Sequence, residues 1–114
     1  MAIIYKILPA AMWEKAMKDG VFCGSEVDGQ DGFIHFSSAS QAVETAAKHF
    51  AGQRDLILLY VDTAPLGASL KWEPSRGGAL FPHLYGELAL GAVTKAVPLP
   101  LGPGGAHQFP TLTD

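Results

Sequence analysis

The feature that most constrains this chain is its longest apolar run, Leu56-Ile57-Leu58-Leu59-Tyr60-Val61, closed off by Asp55 and Asp62. Six residues fall far short of a membrane-crossing helix, which needs about 20. They suit a strand buried on both faces, so 55–62 is predicted as the centre of a sheet. Ala2 to Leu8 reads as another strand. Pro65 and Gly67 turn the chain back, and Ala68 to Trp72 is expected to pair next, antiparallel. Phe81 to Leu90 and Ala92 to Leu99 read as two more, broken at Gly86 and Gly91, whereas Glu73 to Leu80 carries too much Pro and Gly for regular structure.

Two main helices are predicted. Pro9 opens the first, in which Met12, Trp13, Ala16 and Met17 share a face, and Gly20 ends it. Ser38-Ala39-Ser40-Gln41 is a capping box for the second, which runs to about Phe50 with Val43, Ala46, Ala47 and Phe50 as its apolar stripe. Between them, Val21 to Asp31 reads as a polar loop, and Gly32 releases the chain into the short strand Phe33-Ile34-His35-Phe36. The order βαβα followed by four strands is an α+β pattern. One domain over residues 1–101 is expected, with the Pro/Gly-rich tail 102–114 draped over it.

Charge narrows the partners. The net charge of −3 leaves no basic field for duplex nucleic acid, although a few local cations suffice for a small phosphate-bearing ligand. The single cysteine, Cys23, excludes an internal disulfide framework and a multi-cysteine zinc site. His35, His83 and Asp31 have no metal-ligand spacing, so no metal is expected. Ile3 and Ile4 precede Lys6, the reverse of a signal peptide, and the expected setting is the cytoplasm, away from membranes. Charged residues are only 17% of the chain, which makes a homodimer an expectation.

Chemistry-bearing residues concentrate in two stretches. In Asp31-Gly32-Phe33-Ile34-His35-Phe36-Ser37-Ser38, strand alternation puts His35 and Ser37 on one face and Ile34 and Phe36 on the other. In the second stretch, Lys71, Arg76 and His83 fall within thirteen residues, interleaved with Trp72, Phe81 and Tyr85. A guanidinium beside Gly77 and Gly78 suits an anion, and the aromatic rings suit a planar group.

The segments Ile4-Tyr5-Lys6-Ile7, 31–37, 70–78 and 81–86, in that order, resemble the bacterial and plant family called domain of unknown function 952. The resemblance implies a minimal ADP-ribosyltransferase-like fold, two small, mostly antiparallel sheets forming a cleft that holds NAD in active relatives. By the same resemblance Lys6 takes the place of a nucleotide-facing Arg or His. Gly32 to Ser37 matches a Gly-aromatic-x-aromatic-Ser segment entering a helix. The superfamily's late-strand glutamate has no clear counterpart; Glu73 or Glu87 substitutes only if the fold brings it in. His35 and His83 are the candidate catalytic residues, and Lys6, Ser37, Trp72, Arg76 and Tyr85 the candidate ligand-binding ones. The implied function is an NAD- or nucleotide-dependent transferase of the ADP-ribosyl or 2′-phosphate class. The alternative is a non-catalytic module that binds a nucleotide or phosphorylated ligand.

Overall fold

The apolar run forms β4 (Leu56–Asp62), the central strand of an antiparallel sheet ordered β1 (Ile3–Pro9), β4, β8 (Val93–Leu99). The computed structural model describes residues 2–75 and 78–113, with only the backbone at Glu26 and Val27. Both faces of β4 are covered, as its uninterrupted apolar sequence requires. Leu59 and Val61 join Ile4 and Leu8 in one core, while Leu56 and Leu58 join Tyr5 and Ile7 in another.

The helix α1 (Ala10–Asp19) buries Ala16 and tucks Met12 and Trp13 against the first core. Met17, expected on the same face, is half exposed. Gly20 caps the helix in the left-handed region, and its N–H returns to the Ala16 carbonyl. On the opposite side of the sheet lies α3 (Ala39–His49), begun by the expected Ser38–Gln41 capping box. Its inward face is the predicted one only at Ala46 and Phe50, the latter packed on the second core. Ala42 and Ala46 are buried, whereas Val43 is 53% exposed and Ala47 also faces out. Two small side chains four residues apart let the helix lie close to the sheet, and the branched valine is left at the rim.

Pairing of the remaining strands departs from the sequence reading. β5 (Leu70–Ser75) does not lie beside β4. It pairs with β6 (Ala79–Leu84), which carries β3 (Ile34–His35) on its other edge. The stretch from Glu73 to Leu80, expected to be irregular, contributes to both β5 and β6. Pro74 is tolerated because β5 is an edge strand, where a missing N–H costs no ladder bond. The strand predicted from Phe81 to Leu90 is split: Gly86 at φ +151° separates β6 from β7 (Leu88–Ala89), which pairs with β2 (Val21–Phe22). Residues 26–31, expected as loop, form the short helix α2 (Glu26–Asp31), capped reciprocally by Ser25 and Asp28. The fold is thus α+β, with three small antiparallel sheets among the described residues, one more than expected.

The two three-stranded sheets share one apolar core. Ile4, Leu8, Leu59 and Val61 meet Ile34 and Leu84 there in the first core. Two shallow cavities lie elsewhere, about 200 Å³ between α3 and the tail and about 340 Å³ between α1 and β8. The tail itself is fastened to the second core. Phe109 and Leu112 pack on it, Tyr5 Oη donates to the Thr113 carbonyl at 2.5 Å, and His107 Nε2 donates to the Gln53 carbonyl at 2.8 Å. Among the described residues no helix is long and apolar enough to cross a membrane.

Candidate functional site

Two histidines define the site because the β3–β6 ladder makes them direct partners. Paired residues on antiparallel strands project from the same face, and the rings of His35 and His83 lie 5.4 Å apart, edge to face. Phe33, two residues before His35 and so on the same side, stacks on His83 with 4.1 Å between centroids. The other side of this sheet carries Ile34 and Leu84 into the core.

Each histidine has a carboxylate at Nδ1. His83 Nδ1 lies 2.9 Å from Glu73 Oε1, and the same oxygen accepts from Tyr85 Oη at 2.7 Å. Pairing of β5 with β6 sets Lys71 opposite His83 and Glu73 opposite Phe81, which puts Glu73 on the histidine face of the sheet. Glu87 instead accepts from Cys23 Sγ, which raises the thiol pKa. Hydrogen bonds from Tyr85 and His83 hold the Glu73 carboxyl below its ordinary value, and the bond to Glu73 raises the Tyr85 phenol. His83 is 4% exposed, and its Nε2 is buried without a hydrogen-bond partner among the described residues.

His35 is held from α2. Its Nδ1 lies 2.5 Å from Asp28 Oδ1 and its Nε2 2.9 Å from Asp31 Oδ2, so the ring makes both bonds only with both nitrogens protonated. Asp28 is 2% exposed and accepts four times: from the His35 ring and backbone N–H, from the Ser25 N–H, and from Lys6 Nζ at 2.9 Å. Burial alone would raise its pKa. The bond from His35, the Lys6 charge and the Ser25 N–H outweigh that and hold it well below the ordinary aspartate range. Burial lowers the Lys6 pKa, against the pull of Asp28. Gly24 makes room for this arrangement: at φ +104°, a Cβ there would lie 2.8 Å from Asp28 Cβ.

Lys6, His35, His83 and Tyr85 therefore belong to one connected cluster. Ser37 does not join it. The strand ends at His35, Ser37 bridges to Tyr5, and its hydroxyl pairs with Thr45 of α3 at 2.9 Å. Trp72 alternates with Lys71 and Glu73, projects from the opposite face of β5 and is 45% exposed. Arg76 lies outside the described residues.

The family model described as protein of unknown function DUF952 matches residues 7–96. The chain belongs to that family. It is similar to the Caulobacter crescentus protein CC0527, a structural-genomics target. A crystal structure of that protein is 55% identical, with 93% of each chain covered and a TM-score of 0.89. Its solution NMR structure covers 95% of this chain and 93% of its own, at the same identity and a TM-score of 0.86. No curated protein matches the chain.

In this DUF952 domain, the residues that sequence reasoning underrated are Asp28 and Glu73. Asp28 falls in the stretch that reads as a polar loop, where the available signal is the Ser25-x-x-Asp28 cap. Glu73 depends on which strands pair, and nothing local reports that. Among the described residues no group of three His, Cys, Asp or Glu side chains is arranged to hold a metal ion.

Proposed function

We propose that this protein is a nucleotide-dependent transferase of the ADP-ribosyl or 2′-phosphate class, with an ADP-ribosyltransferase-like fold and NAD as its candidate substrate. The observation that carries the reading is the facing pair His35 and His83, each with a carboxylate at Nδ1. A carboxylate behind an imidazole sets the ring's orientation and prepares it to move a proton near neutral pH. In ADP-ribosyl transfer the bond between ribose C1′ and the nicotinamide nitrogen breaks, and its electron pair leaves with nicotinamide. An acceptor hydroxyl oxygen bonds to C1′ and yields its proton to the His83 imidazole, since both His35 nitrogens are engaged by carboxylates. Phe33 and Tyr85 supply aromatic surface beside the histidines for a planar group. Lys6 is not available to the pyrophosphate in this reading, because its ammonium is paired with Asp28.

The non-catalytic alternative has one observation in its favour. Asp28, Asp31 and Glu73 all accept from histidine or other donors already, so the carboxylates beside the pair are engaged rather than free to stabilise a ribosyl cation. Calorimetric titration with NAD, ADP-ribose and 2′-phosphorylated nucleotides, with nicotinamide release followed in parallel, separates the two. The expected result is binding with nicotinamide release, and a His83→Ala variant that still binds but no longer turns over. Binding without release in the parent protein selects the binding module. Absence of binding by every nucleotide overturns both.

A further inference from the structure

We infer that Glu73 is a positioning residue that holds His83 in its Nδ1–H tautomer, so that Nε2 offers a lone pair to a hydrogen-bond-donating group of the ligand, a hydroxyl or an amide N–H. The inference rests on the reading of this site given above and deepens it by naming what meets His83. An ionised carboxylate only accepts, so the 2.9 Å contact to Glu73 Oε1 requires the proton on Nδ1. In a neutral ring the other nitrogen is then bare. That nitrogen is buried with no hydrogen-bond partner among the described residues. Buried polar atoms are almost always paired, so an exception calls for a partner from outside the chain, such as a water, an ion or a ligand group. Phe33 covers one face of the ring, Lys71 and Glu73 face it from β5, and His35 faces it from β3. A phosphate oxygen set against the Nε2 lone pair would be repelled, so the phosphates of a nucleotide bind away from it.

The tautomer is read directly by long-range ¹H–¹⁵N correlation spectra of the imidazole rings in the full ¹⁵N-labelled chain at neutral pH, without any ligand. His83 is expected to show a protonated Nδ1 and a bare Nε2. In Glu73→Gln the side-chain amide donates as readily as it accepts, so the spectrum should move to a mixture or to the Nε2–H form. Tyr85→Phe, which leaves the carboxylate in place, should keep the parent pattern. An Nε2–H or doubly protonated His83 in the parent chain overturns the inference. So does an unchanged tautomer in Glu73→Gln, or a changed one in Tyr85→Phe. These outcomes are independent of nucleotide binding, so failure of the transferase reading is told apart from failure of this one.

Discussion

Asp28 shows how one buried carboxylate can tie three elements together. Lys6 reaches it from β1, His35 from β3, and Ser25 from the turn before its own helix. Removing one partner of a buried pair leaves the other charge uncompensated, which typically costs roughly 3–5 kcal/mol. Asp28→Ala is therefore expected to lose about that much in urea unfolding, and adding Lys6→Met should recover a large part of the loss. A double variant no more stable than the single would show that the charge left on Lys6 is not the cause. The pH dependence has a definite sign. Asp28 is depressed in the fold, so between its ordinary value of about 3.9 and its lower native one the unfolded chain binds more protons. The stability it contributes is present above about pH 4 and falls as acid is added. Urea midpoints measured across the acid range should fall more steeply in the parent than in the double variant.

The sheet β1–β4–β8 and the helix α3 depend on residues that look interchangeable in sequence but differ in burial. Leu58 is fully buried in β4, so Leu58→Ala should cost roughly 2–5 kcal/mol as a large-to-small core change. Val43 lies on the outer face of α3, and Val43→Ala should stay within about 0.5 kcal/mol. Chemical denaturation of the two variants tests the orientation of the helix directly. Comparable losses would mean that Val43 is packed after all. The same logic accounts for α1, where the small Ala16 is buried and the larger Met17 is half exposed. Close packing of a helix on a sheet can place alanine at the contact, which a search for large apolar side chains overlooks.

Over the whole molecule, the two faces of the first sheet have separate duties. Strand alternation sends Lys6 toward Asp28 and the histidine cluster, and Tyr5 toward α3 and the tail. Deleting residues 102–114 would strip Phe109 and Leu112 from the second core and take away the Thr113 partner of Tyr5. The truncated chain is expected to unfold at a lower denaturant midpoint, with faster amide exchange along α3. The imidazole spectra of His35 and His83 should not change, because the tail packs on the other side of the sheet. An unchanged midpoint would show that the tail adds no stability, and altered histidine spectra would show that the two faces are coupled.

Local chemistry in the sequence was enough to place β4 at the centre of a sheet, to begin α3 at Ser38 and to end α1 at Gly20, and it offered as candidates His35 and His83, which the β3–β6 ladder makes neighbours. Each depends on a run, a cap or a motif whose physics acts within a few residues. Tertiary structure alone decided that β5 leaves β4 for β6, because neighbouring strand choice is settled by burial across the whole body. That pairing delivers Glu73 to His83 and turns Trp72 to the other face. It was likewise the fold that closed Asp28 over Lys6, since an aspartate among glycines looks solvated until long-range packing removes the water around it.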